Sequence, residues 1–475
     1  MTTDEPAARR LAEFAAGLRT ADIPAPVLGH ARDLVLTTLG VGLAGTGHPL
    51  VAAVRRTVLA RPAADGAVVW GTPDVADAPD AALVNATAAH VNDYDDTHAE
   101  GGVHVGAVVV PAALAAAQQR RVGGARFLAA VVAGVEVTTR LGAAASHRFT
   151  EHGLHASSCC GTVGAAVAAA VVADLPAPRV ADAIGIACSQ SSGVIQTVVE
   201  GGDLKSLHLG WAAHAGIWAA RLAEQGVAGP TRALDGTHGL FAALIGEGWS
   251  RHRLTRGLGR EWETANVILK PYPCCQFVHA LIDAACAYRR ERPGASPDRI
   301  VLRLPTPARH VVCEPWADKL QPRTPYAAKF SAPYCVAAAL LDGPLGLGHF
   351  SEAALARPDI RALMTRISYE LDDDPELARS YGAELVIADA TREPWSLRVT
   401  HPTGSPRRRA QPDVWVRKYE DAASLVLDAA GRADTRARVN ALADLDDLSA
   451  LCALPPAGGS PATRPGGRFF GEAPP

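Results

Sequence analysis

Residues His90–Pro111 read HVNDYDDTHAEGGVHVGAVVVP. Eight polar or ionisable side chains, His90, Asp93, Asp95, Asp96, Thr97, His98, Glu100 and His104, fall within fifteen positions. An Ala-rich helical pattern (81–89) enters the stretch and an apolar run (105–117) leaves it. Both flanks read as core helices, and burying ionised groups between core elements is costly unless they are paired or used. The cluster therefore reads as functional, with a polar helix end as the alternative. If the incoming helix runs on through Asp96, then His90, Asp93 and Thr97 share one of its faces.

Outward from this stretch, the N-terminal half is helical in pattern. Leu11, Phe14, Ala15 and Leu18 recur at helical spacing, and Val27 to Leu43 forms a second such segment. The spans 105–119, 126–141, 161–173, 181–187 and 205–225 are rich in Ala and Val. With aromatics at only 5%, small side chains must build the core and allow helices to approach closely. Beyond Lys270 the period changes. Residues 298–304, 366–371, 383–388 and 395–400 alternate polar and apolar positions, as strands do, with helical spans 277–290 and 334–341 between them.

The expected class is mainly α. A large all-helical domain is built from residues 1–268 plus a returning segment, 406–454, with a smaller α+β domain, 269–405, inserted between them. The segment 455–475, mostly Pro, Gly and small residues, is expected to be a disordered tail.

The net charge of −3 gives no electrostatic case for nucleic acid. No leader-like segment opens the chain, and no run of about eighteen uninterrupted apolar residues suggests a membrane span. Nine scattered cysteines without a CxxC pair point to free thiols in a reducing cytoplasm. No HExxH, GxxxxGK[ST] or GxSxG occurs. His98, Glu100 and His104 have metal-binding side chains, but their spacing is not diagnostic and no metal is expected.

Further stretches can hold chemistry. His155 lies between Gly153 and two serines just before a helix, where it either faces a cleft or caps that helix. If a helix begins near Asp203, Lys205 lies in its first turn, where a cation opposes the dipole and a bound anion is the simplest compensation. Lys270 is held by Pro271 and Pro273. Lys329 to Tyr334 and Arg417-Lys418-Tyr419 complete the set.

The ordered set His90…Asp93-Tyr-Asp-Asp-Thr97…His104…Pro111, Gly153-Leu-His155, Lys205-Ser-Leu-His208-Leu-Gly210, Gly226-Val-Ala-Gly229-Pro230, Lys270-Pro-Tyr-Pro273, Phe330-Ser-Ala-Pro-Tyr334 and Lys418-Tyr419 resembles the MmgE/PrpD family. That family includes 2-methylcitrate dehydratase, cis-aconitate decarboxylase and iminodisuccinate epimerase. The resemblance implies a helical domain with an inserted α+β lid, a homodimer, no metal or organic cofactor, and an active site between the domains. Position by position, it implies pocket residues Asp93, Thr97, His104, His155, Lys205, Lys270 and Tyr334. The family often has proline after the histidine matched by His104, where this chain has Val105, and phenylalanine where it has Leu154.

These reactions develop negative charge on carbon beside a carboxylate, and a metal-free site must absorb it with cations and donors. On this reading Lys205, Lys270 and Thr97 hold a small carboxylate substrate. His104 and His155 serve as acid and base, since imidazole titrates near neutral pH. Asp93 orients one histidine, and Tyr334 donates a proton or hydrogen bond. The expected function is a cofactor-independent dehydratase of a small di- or tricarboxylate or a carboxylated natural-product intermediate. Decarboxylation, then epimerisation, then non-catalytic carboxylate binding are the alternatives.

Overall fold

The computed structural model describes residues 5–60, 63, 65–200, 202–294, 297–389 and 392–453. The predicted tail, 455–475, lies outside the described residues. These residues form two compact units. Among them, the first comprises 5–91, Asp95–Val267 and 422–453; the second comprises Asn92–Tyr94 and Ile268–Asp421.

The first unit is helical. Its core elements include α1 (Ala25–Gly45), α2 (Ala78–His90), α3 (Gly106–Arg120), α4 (Gly124–Ala145), α5 (Ala156–Val172) and α6 (Leu204–Glu224). The small side chains do what the composition predicts. A Cβ on Gly134 of α4 would come within 2.8 Å of the Gly164 carbonyl oxygen of α5, and one on Gly164 within 2.8 Å of the Gly134 oxygen. Only glycine at both positions lets these two backbones meet. Helix α4 is long and apolar enough to cross a bilayer, but it is wholly buried within the unit. Its Glu136 and Arg140 pair at 3.1 Å, and Glu136 also accepts from the backbone and hydroxyl of Thr264.

The second unit is α+β. All four alternating segments are strands: β1 (Arg299–Pro305), β2 (Ile367–Asp372), β3 (Ala383–Asp389) and β4 (Arg392–Val399). The sheet order is β2-β1-β3-β4, with β1 and β2 parallel and the other pairs antiparallel. Helices α7 (His279–Glu291) and α8 (Ala332–Asp342) supply much of its apolar core, which includes Leu281, Ala285, Val336, Leu302 and Leu385.

Two boundaries differ from the sequence reading. Helix α2 ends at His90, capped by Val91, rather than continuing to Asp96. Asn and Asp side chains compete for backbone bonds and favour turns, and Asp93 takes a left-handed φ of 50°. His90, Asp93 and Thr97 therefore share no helical face. The return to the first unit begins at Ala422, not at 406. Within the second unit, Lys418 of helix α9 (Pro412–Ala423) donates to the Tyr94 and Lys270 carbonyls, and Asp421 accepts from the Leu347 N–H. These bonds hold 406–421 there. Beyond Ala422, Leu445 O accepts from the Gly124 N–H, and Leu448 O from the Gln118 side chain.

Candidate active site

In the first unit, the residues after Tyr94 turn back on themselves. Thr97–His98 is a two-residue strand, and the His98 N–H donates to Val103 O at 2.8 Å. The Asp96 carboxylate caps α3, accepting from the N–H groups of Val105 at 2.9 Å and Gly106 at 2.7 Å. A Cβ at Gly106 would stand 2.5 Å from Asp96 Oδ1, so this close cap requires glycine. It also requires an N–H at position 105, which a proline would remove. Burial, and then the neighbouring Asp95 charge, push the Asp96 carboxyl up to about 6.

This cap presents His104. Its Nδ1 lies 2.7 Å from the Asp96 carbonyl oxygen, 3.4 Å from Thr97 Oγ1 and 3.5 Å from Asp95 Oδ2. Its backbone N–H donates to Ser157 Oγ. His90, at the end of α2, places Nδ1 2.9 Å from the same Asp95 oxygen. Four imidazoles follow one another: His104 to His90 at 4.8 Å between ring centres, His90 to His155 at 5.8 Å, and His155 to His208 at 5.5 Å.

His155 precedes the first residue of α5, but its side chain does not cap the helix. Its backbone is fixed by an N–H donated to Gly193 O at 2.7 Å. The ring is buried, and neither nitrogen has a hydrogen-bond partner among the described residues. Burial first, then Lys205, His90, His104 and His208, hold its pKa well below the ordinary histidine value. These causes favour the neutral imidazole. Lys205 does lie in the first turn of α6, and His208 one turn later is also pushed down, by burial, His90 and Lys205.

Of the seven residues that the resemblance implies, Thr97, His104, His155 and Lys205 fall in this neighbourhood of the first unit. Asp93, Lys270 and Tyr334 belong to the second unit. Lys270 Nζ donates to Asp93 Oδ2 at 3.0 Å and to Asp93 O at 3.1 Å, both side chains being buried. The carboxylate expected to orient a histidine is therefore bound to a lysine. Asp95 is the carboxylate that the described contacts bring to the imidazoles. Tyr334 donates its hydroxyl to His349 O at 2.6 Å, so that proton is already engaged.

Lys329 and Lys418, singled out in the sequence without roles, now have partners. Lys329 Nζ donates to Asn92 O at 2.7 Å and to Pro273 O at 3.1 Å. Lys418 Nζ donates to Tyr94 O at 2.6 Å and lies 4.4 Å from the centre of the Tyr94 ring. Three consecutive carbonyls, of Asn92, Asp93 and Tyr94, thus each accept from a different buried lysine. Burial is the main cause that lowers the Lys329 ammonium to about 8.

The donor atoms of His90, Asp95 and His104 lie within 4.8 Å of one another, close enough for a metal ion by distance. Within this group His90 is hydrogen-bonded to Asp95 at 2.9 Å, while His104 Nδ1 is held by the Asp96 carbonyl at 2.7 Å. His98 and Glu100, the other two side chains weighed as ligands, go elsewhere: His98 Nε2 to Glu263 at 3.3 Å, and Glu100 to Arg253. The His98 bond is the largest cause holding Glu263 down at about 2. A cavity of about 900 Å³ in the first unit lies among other residues, including Cys188, Arg232, Asp235 and His238, and none of the seven lines it.

Comparison with known proteins bears on both units. Residues 9–252 match the MmgE/PrpD N-terminal domain, and residues 272–444 match the MmgE/PrpD C-terminal domain. The chain is 27% identical over 469 residues to the cis-aconitate decarboxylase-like protein oryM of Aspergillus oryzae, covering 94% of this chain and 96% of that protein. It is 30% identical over 373 residues to the cis-aconitate decarboxylase of Homo sapiens, covering 75% of each. A cis-aconitate decarboxylase of Aspergillus terreus is 25% identical over 471 residues, 94% of each.

Proposed function

From the premise that this chain belongs to the MmgE/PrpD family and is a lyase, we propose that it decarboxylates a cis-aconitate-like unsaturated tricarboxylate. The observation that supports this most is the likeness to cis-aconitate decarboxylases along 94% of the chain. The chemistry of the histidine set is consistent with it. Breaking the carbon–carboxylate bond releases carbon dioxide and leaves its electron pair on carbon, delocalised over the double bond. That carbon then takes a proton from an imidazolium, for which His104 is the candidate. Lys205 supplies the positive charge that holds a remaining carboxylate and stabilises the developing anion. Thr97 adds a hydroxyl beside His104.

Dehydration of a hydroxylated di- or tricarboxylate is the second reading. It needs a base as well as an acid, and the neutral ring of His155, whose nitrogens have no partner among the described residues, favours it as the base.

One experiment separates the two. The purified protein is incubated with cis-aconitate and with citrate-like hydroxy acids, while headspace carbon dioxide and the ultraviolet absorbance of a conjugated double bond are followed. Carbon dioxide from cis-aconitate supports decarboxylation. New conjugated absorbance from a hydroxy acid, without gas, supports dehydration. Neither signal from any acid overturns both readings.

A further inference from the structure

We propose that His90 and Asp95 form a buried dyad that positions His104, fixes Nε2 as the nitrogen that exchanges its proton, and makes His104, not His155, the acid. Neither His90 nor Asp95 is among the seven residues carried over from the family. The inference rests on the reading of His104 as a catalytic group and goes beyond it by assigning the direction of proton transfer.

Acceptor chemistry sets the tautomers. A carboxylate only accepts, so the 2.9 Å contact from Asp95 Oδ2 puts a hydrogen on His90 Nδ1. A carbonyl oxygen also only accepts, so the 2.7 Å contact from Asp96 O puts one on His104 Nδ1. His104 Nε2 is then the nitrogen that gains or loses a proton. Asp95, with no side-chain exposure, is shared by both Nδ1 atoms, at 2.9 and 3.5 Å. The His90 ring is 4.8 Å from that of His104 and tilted by 57°, which limits its rotation away from the carboxylate.

Charge is graded across the set. At one side stand the Asp95 carboxylate and the C-terminal end of α2, both of which favour a proton on the adjacent imidazole. At the other, burial first, and then Lys205 and the N-terminal end of α5, disfavour one on His155. The remaining groups that face this set are Asp96, already spent on capping α3, Thr97, and His208, which is itself pushed toward neutrality. The gradient therefore favours a proton at the Asp95 side of the set; of the two imidazoles there, His104 has side-chain exposure (15%, against 1% for His90) and is the one placed to exchange it. In the forward reaction His104 gives that proton from Nε2 to carbon, keeps the one on Nδ1, and is recharged from solvent.

The test needs the wild-type protein and three variants. Nitrogen-15 NMR of labelled imidazoles should find His104 carrying hydrogen on Nδ1 and titrating at Nε2. Asp95→Asn and His90→Gln keep similar shapes. Each should lower turnover about 10–100-fold, as loss of an orienting outer carboxylate does. Asp95→Asn should also move the basic limb of the kcat/KM pH profile to lower pH, because the charge that favours a proton on His104 is gone, which a merely structural change would not do. His104→Ala tells the failures apart. If it retains full turnover, the functional reading of His104 falls. If it abolishes turnover while Asp95→Asn and His90→Gln keep the wild-type rate and basic limb, the dyad alone is overturned. A wild-type spectrum with hydrogen on His104 Nε2 and a bare Nδ1 overturns it without any variant, so poor folding of a variant leaves the question decidable.

Discussion

Asn92–Tyr94 and Asp95–His98 are adjacent in sequence and serve opposite ends. The first three residues belong to the second unit, and their carbonyls are bound by the buried ammonium groups of Lys329, Lys270 and Lys418. The residues that follow belong to the first unit and surround imidazoles, among them one with no hydrogen-bond partner among the described residues. The lysine set has its donors satisfied by carbonyls and one carboxylate, an arrangement suited to holding a turn. In the histidine set, His155 has both ring nitrogens without a partner among the described residues, an arrangement suited to moving protons. Burial alone does not distinguish a structural polar cluster from a reactive one; the degree of hydrogen-bond satisfaction does.

The comparison breaks most visibly at the imidazoles. Replacing His104 or His155 by Ala should lower turnover on the order of 10²–10⁴-fold, the contribution of a positioned acid or base. Thermal melting of the His155 variant should stay near wild type, because that ring gives up no hydrogen bond. Near-normal turnover in both variants would move the chemistry elsewhere.

The lysine side should answer in stability. Lys270→Met leaves the Asp93 carboxylate buried without the cation now bound to it, a loss of about 3–5 kcal/mol in urea denaturation. Adding Asp93→Asn should recover much of that loss, since the uncompensated charge is gone. If Lys270→Met costs less than about 1 kcal/mol and instead raises KM sharply, Lys270 is a substrate-binding residue, as the family resemblance implied, and the contrast drawn between the two sets fails.

The smallest effect expected is a pH dependence from Asp96. Its carboxyl is raised to about 6 in the folded chain from an ordinary 3.8, so the native state binds more protons between those values. Its stabilising contribution is present below about 4 and is lost as pH rises through 6. Asp96→Asn should flatten the stability profile in that window while preserving a cap acceptor for α3. An unchanged slope between pH 4 and 6 would mean that the two backbone N–H bonds outweigh burial.

Much of this was legible in the sequence. The period-two segments became β1 to β4, the Ala- and Val-rich segments became close-packed helices, and the order of motifs identified the family. The opening stretch was correctly singled out as polar groups between core elements. Its internal division was not legible. A reading by helical period grouped His90, Asp93 and Thr97 on one face, whereas α2 ends at His90 and Asp93 turns left-handed.

Local pattern is written in neighbours a few residues apart, because backbone sterics and side-chain periodicity act over that range. Charge partners are not. Asp93 is bound by a lysine 177 residues away and Tyr94 by one 324 residues away, while Asp95 keeps His90, only five positions distant. From the sequence alone, Asp93 and Asp95 are two similar carboxylates in one motif. Only the folded chain, by bringing a lysine to the first and two imidazoles to the second, decides which one is paired with an ammonium and which one lies against imidazoles.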